Sequence, residues 1–161
     1  MEHFANNRVV LTGGPGTGKT TVLAELRRRG ISCVDEVTRK VIQERIAAGL
    51  PPRPDPASFA LEIFQRDVAA YDSVARIVDP VFFDRGLVDS LVMMFECGAV
   101  EESEVQDWLA RKPFAKTVFL FPPWEEIYRA MVGQLGAGAC LEPATLYINV
   151  IETRGESRNN H

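Results

Sequence analysis

Eight residues near the start of the chain, Gly13-Gly14-Pro15-Gly16-Thr17-Gly18-Lys19-Thr20, constrain the fold more than any other stretch. They lie between a short apolar run, Val9-Val10-Leu11-Thr12, and a segment from Lys19 onward that places Val22, Leu23 and Leu26 on one helical face. An apolar run without alternation belongs to a parallel sheet covered on both faces. Glycines permit positive φ and close approach of the backbone, and a turn of this kind at a helix start gathers unpaired N–H groups and the positive end of the helix dipole. The spacing G-x-x-x-x-G-K-[ST] adds one ammonium and one hydroxyl. The segment therefore reads as a polyphosphate cradle for ATP or GTP. Gly13, Gly14, Gly16, Thr17 and Gly18 supply main chain, Lys19 faces the β- and γ-phosphates, and Thr20 ligates Mg2+. Thr21 is either packing or a further phosphate contact.

The chain continues in alternation. Arg27, Arg28 and Arg29 suit the end of the first helix and Gly30 stops it; Ile31 to Val34 read as a second strand, and Val37 to Ala48 as a second helix. Gly49 to Pro56, GLPPRPDP, is a proline-rich loop too short to link domains, and Ala57 to Ala75 is a long amphipathic helix. Strand Val81 to Asp84, helices Leu87 to Glu96 and Val105 to Ala110, and strand Thr117 to Phe121 follow. Leu146 to Ile151 is a candidate fifth strand. The expectation is one α/β domain over residues 1–152 with a polar, disordered tail at 153–161. Its fold class is a three-layer αβα P-loop nucleoside-triphosphatase with a mainly parallel sheet of about five strands.

Composition narrows the partners. A formal charge of −4 without a basic block argues against a nucleic-acid partner bound by neutralising phosphates. Cys33, Cys97 and Cys140 are far apart and odd in number, which fits neither a disulfide framework nor a zinc site. The short polar N-terminus has no secretory apolar core, and no apolar run reaches spanning length, so no membrane span and a cytoplasmic location are expected. The ligands expected are a nucleotide and a small-molecule acceptor.

In a parallel sheet, side chains at the carboxyl ends of strands face the ligand crevice. Asp84 ends the third strand and can reach Mg2+ directly or through water; a cap or a structural ion pair is the plainer use. Arg85 either clamps an acceptor or phosphate or makes a surface ion pair. Glu36 and Arg39, three apart at the start of the second helix, share a face suited to an acceptor, with Glu36 on a hydroxyl proton and Arg39 on an anionic group. Helix capping is the competing role for Glu36. Asp89 and Ser90 open the next helix as caps, and His3 and His161 lie in terminal segments away from chemistry.

Together TGGPGTGKTT, VDEVTR, PVFFDRGLVDS and VFLFPPWEEIYR resemble the AAA-type ATPase family that includes the ribosylnicotinamide kinase domain of NadR. The resemblance runs from about Arg8 to Arg129, and the Asp84-Arg85 pair is similar to the DR motif of thymidylate kinases. It implies a small-kinase-like domain with Gly13, Gly18, Lys19 and Thr20 on phosphate, Asp84 near Mg2+, and Glu36, Arg39 and Arg85 toward the acceptor. Arg129 is what remains of the family's arginine-rich lid over the transferring phosphoryl group. After it the chain reads AMVGQLGAGACLEPATLYINVIE, unlike the family, as a truncation or frameshift near Arg129 would produce.

Two functions follow as expectations. The first is an ATPase or kinase that moves the γ-phosphoryl group of ATP to a small hydroxyl-bearing acceptor such as a nucleoside, with Lys19, Asp84, Glu36 and Arg129 acting in catalysis. The second is a nucleotide-dependent regulatory module that binds ATP or GTP with little or no catalysis.

Overall fold

The computed structural model describes residues 6–122. In chain order the elements are β1 (Arg8–Gly13), α1 (Lys19–Arg28), β2 (Ser32–Val34), α2 (Val37–Ala47), α3 (Pro56–Ser73), β3 (Val81–Asp84), α4 (Leu87–Glu96), α5 (Glu102–Arg111) and β4 (Val118–Phe121). The expected fifth strand, the polar tail and Arg129 lie outside the described residues. Within them each expected element is present, with ends moved by a few residues for identifiable reasons. Helix α3 begins at Pro56 because the Asp55 carboxylate caps it, accepting from the Ser58 amide at 3.0 Å, and because proline suits the first helical turn. Helix α5 begins before Val105 because Glu104 reaches back to the Glu101 amide at 2.9 Å.

The four strands form one parallel sheet in the order β2-β3-β1-β4. The chain steps outward from β1 to β2, returns to insert β3 beside β1, and then crosses to β4 on the other side. The carboxyl end of β1 is thus where the connections diverge, the place at which open α/β sheets bind ligands. Register puts Leu11 opposite Asp84 and Gly13 opposite Phe121.

Strand alternation gives the sheet two apolar faces. Val10 joins Ala60, Phe64, Leu87, Leu91 and Leu109 in the largest core cluster, under α3, α4 and α5. Phe83 extends this side through edge-on rings with Phe114 at 5.4 Å, and Phe114 with Tyr71 at 5.2 Å. Helix α1 packs along β2, β3 and β1, completing the three layers. Helix α4 is apolar nearly all round, with Leu87, Val88, Leu91, Val92 and Met94 buried, as its place between α3 and α5 requires. Among the described residues no helix is long and apolar enough to cross a membrane.

Candidate functional site

Beyond β1 the chain turns through Gly16 at φ 73° and Gly18 at φ 90°, a conformation that L side chains rarely adopt. Gly13 is required for a different reason. A Cβ there would stand 2.2 Å from the Phe121 carbonyl oxygen, so the end of β1 can lie against β4 only without a side chain. Helix α1 then starts at Lys19 with Gly18 as its N-cap and no side chain satisfying its first amides. An uncapped helix start presents N–H donors and a positive dipole in the direction from which an anion would come.

Two side chains stiffen the loop from within. Thr17 is buried and its hydroxyl donates to the Gly14 carbonyl at 2.9 Å. Lys19 is only 6% exposed, and its ammonium donates to the carbonyls of Gly13 at 2.8 Å and Gly14 at 2.7 Å and to the Thr17 hydroxyl at 3.3 Å. Burial and then the neighbouring Arg85 lower the Lys19 pKa, against Asp84, Glu36 and Asp89, which raise it. Thr20 and Thr21 are exposed on the first turn of α1.

Asp84, at the carboxyl end of β3, is 7% exposed, and its Oδ1 has no hydrogen-bond partner. Burial, and next the charge of Glu36, raise its pKa, while Lys19, Arg85 and Arg39 oppose the rise. A buried carboxylate oxygen left unpaired costs stability unless something else satisfies it. A hard divalent cation does so, since such ions take oxygen ligands. Asp84 and Thr20, two residues with oxygen donors that line the same cavity, therefore fit Mg2+. No cluster of three or more His, Cys, Asp or Glu residues among the described residues could form a metal cage. A metal held there takes its remaining ligands from water and phosphate, as Mg2+ ordinarily does.

Arg85 follows at φ 61°, the one non-glycine residue among those described with positive φ. Such strain persists only where surrounding contacts over-determine it. Here the guanidinium donates to the Gly13 carbonyl at 3.1 Å and faces Glu36 at 3.6 Å and Asp89 at 3.9 Å. Asp89 also accepts the Gly86 amide at 3.2 Å, the capping role read from its place at a helix start. Glu36 precedes α2, but its side chain caps nothing; it turns to Arg85 and, at 3.4 Å, to Arg39. Its neighbour Asp35 points elsewhere, paired with Arg27 at 2.6 Å.

The loop, Glu36, Arg39, Asp84 and Arg85 line one cavity of about 620 Å³, within the size range of small-molecule sites. Every candidate named on the loop from Gly16 to Thr21 lines it, and so do Glu36 with Arg39 and Asp84 with Arg85. Gly13 and Gly14 reach it instead through their carbonyls on Lys19. Arg129 lies outside the described residues.

Sequence reading missed three groups. Gln43 and Ile42 line the cavity from α2, and the i, i+3 and i, i+4 spacing from Arg39 could have revealed them. Arg53 lines it from the proline-rich loop, for which no periodicity gives warning. Asp67 is buried on the inner side of α3; burial pushes its pKa up to about 7, the Ser90 hydrogen bond opposes this, and the Asp89 and Glu36 charges add to it.

No curated protein matches the chain. Among solved structures it is similar to deoxyadenosine kinase from M. mycoides with bound dATP, at 12% identity and TM-score 0.46, covering 79% of this chain and 70% of that one. It is also similar to thymidylate kinase from Ehrlichia chaffeensis, at 12% identity and TM-score 0.49, covering 94% of this chain and 99% of that one. Likeness of this degree says nothing of the chemistry, which stands on the chain's own residues. Residues 8–133 match the AAA domain family, a span that takes in the whole of the sheet and the loop described above, and the chain belongs to that family.

Proposed function

We propose that this protein is a phosphotransferase that moves the γ-phosphoryl group of ATP to a hydroxyl on a small acceptor such as a nucleoside, in the manner of the NadR-like kinases its sequence resembles. The observation that carries the reading is that an uncapped helix start, the buried Lys19, Asp84 with its unpaired carboxylate oxygen, and Glu36, whose side chain caps no helix, all line one cavity.

The roles follow from charge and position. Amides of Gly14 and of Gly16 to Thr21 receive the phosphate oxygens, which compete with the Gly13 and Gly14 carbonyls for the Lys19 donors. Thr20 and Asp84 would hold Mg2+, which when bound would supply charge neutralisation on the phosphates. Glu36 accepts the hydroxyl proton as the acceptor oxygen bonds to the γ-phosphorus and the bond from that phosphorus to the β-phosphate oxygen breaks, giving ADP and a phosphate ester. Arg85, held on Gly13, stabilises the negative charge around that exchange, and Arg39 holds an anionic group of the acceptor. Arg129 is assigned to the same task from the chain beyond β4.

The test is ADP formation with ATP or GTP and Mg2+ over a panel of nucleosides and their monophosphates. Release that depends on one acceptor supports the reading, and release at the acceptor-free rate with every compound of the panel sinks it in favour of a nucleotide-dependent regulatory module. Glu36→Gln separates the two further. It is expected to abolish transfer while sparing nucleotide binding, whereas a regulatory module would be little changed. Lys19→Ala is expected to weaken triphosphate binding in calorimetry under either reading.

A further inference from the structure

We propose that the acceptor carries a phosphate monoester in addition to its reacting hydroxyl, and that Arg53 and Arg39, which line the cavity together with Gln43, bind that group. The inference rests on the phosphotransferase reading and adds the substrate's charge to it.

The cavity lining holds Lys19, Arg39, Arg53 and Arg85 against Glu36 and Asp84, in a chain whose overall balance is negative. Three of the four cations have partners in the protein. Lys19 is held by loop carbonyls, and Arg85 by the Gly13 carbonyl with Glu36 and Asp89 nearby. Arg39 shares the Glu36 carboxylate with Arg85, at 3.4 Å and with more than half its side chain exposed. Arg53 makes no hydrogen bond or ion pair among the described residues. The charge left over therefore lies on Arg53 and, in part, on Arg39 of α2.

Arg53 is also held more firmly than an exposed loop arginine ordinarily is. It stands between Pro52 and Pro54, so its own backbone is restricted by the following ring and its neighbours have fixed φ. The loop is tied at its start by the Arg45 guanidinium on the Pro51 carbonyl at 2.8 Å, and Arg45 is itself paired with Glu62 of α3 at 2.9 Å. At its other end Asp55 caps α3. A stiff loop that presents an unpartnered guanidinium to a cavity loses little entropy when an anion binds. Guanidinium geometry matches phosphate bidentately, and two such groups suit a phosphate monoester, which carries nearly two charges at neutral pH.

The experiment is calorimetry on the full chain saturated with a non-hydrolysable ATP analogue and Mg2+, titrated with AMP against adenosine and with ribose 5-phosphate against ribose. The phosphorylated probe is expected to bind about tenfold or more tightly in each pair, as hydrogen bonds to a charged group allow. Arg53→Gln and Arg39→Gln are each expected to remove most of that preference, with Arg53→Lys losing part of it. Equal affinity within both pairs overturns the proposal, as does an Arg53→Gln variant that weakens the ATP analogue and leaves the phosphate preference intact. Binding is read without turnover, so a protein that prefers phosphorylated probes but transfers to none would sink the phosphotransferase reading alone. One that phosphorylates nucleosides with no such preference would sink this inference alone.

Discussion

Arg85 reaches back from the end of β3 to the carbonyl of Gly13 at the end of β1, 3.1 Å away, from a backbone conformation of φ 61°. The contact joins the Asp84 end of β3 to the phosphate loop and is made from a strained residue. Arg85→Ala and Arg85→Gly lose the same side chain but differ in the backbone. The glycine variant is expected to be more stable than the alanine variant by about 1 kcal/mol, the cost of left-handed φ for a residue with Cβ. Urea denaturation of the two measures it, and equal midpoints would mean that the backbone is not strained there.

Asp84 has a buried carboxylate oxygen without a partner, and its charged form is disfavoured first by burial. Asp84→Asn removes the charge at nearly constant shape. ATP affinity measured without Mg2+ is expected to hold or rise, because a negative group leaves the phosphate site, while the gain in affinity on adding Mg2+ is expected to disappear. A variant that keeps its full Mg2+ dependence would show that the metal is held elsewhere.

Gly13 admits no side chain, since a Cβ would stand 2.2 Å from a main-chain oxygen of Phe121 that cannot swing aside. Gly13→Ala is expected to destabilise the fold by about 1–3 kcal/mol, the range of overpacking. Gly18→Ala is the control, because nothing lies within 4 Å of its Cβ position and only its φ of 90° opposes the change. Thermal melts should show the Gly13 variant clearly the less stable of the two. The reverse order would contradict the β1–β4 packing.

Asp67 sits against Ser90 with its pKa raised from 3.8 to about 7 by burial. An acid whose folded pKa exceeds its unfolded one is favoured by folding when protonated. Its contribution is therefore complete below about pH 4 and is lost as pH rises through about 7. The shift corresponds to about 4 kcal/mol. Asp67→Asn, which stays neutral, is expected to gain stability over the parent at pH 8 and to differ little at pH 4. Denaturation midpoints across that span read the effect, and parallel pH profiles for parent and variant would refute it.

The phosphate loop was legible in the chain itself because its chemistry is local. Strand, glycine turn, lysine and helix are consecutive, and the hydrogen bonds that shape them run between residues no more than six apart. Asp84 and Glu36 were legible because strand ends in a parallel sheet share one edge, whatever the strand order. Their partners were not. That Arg85 would choose Gly13, 72 positions away, or that Asp35 would turn to Arg27 while Glu36 turned inward, depends on β3 inserting between β1 and β2.

Arg53 and Asp67 are the clearest cases of what tertiary structure alone decided. A proline-rich loop announces that it is stiff, not where it points, and only the Arg45 contacts with Pro51 and Glu62 bring it to the cavity. An aspartate on an amphipathic helix is normally a surface residue, and only the close packing of α3 on α4 places Asp67 beside Ser90 out of water. Periodicity and spacing encode what a segment does with its near neighbours. Burial and long-range pairing depend on the whole packing arrangement, and it was there that the charges of this site acquired their partners.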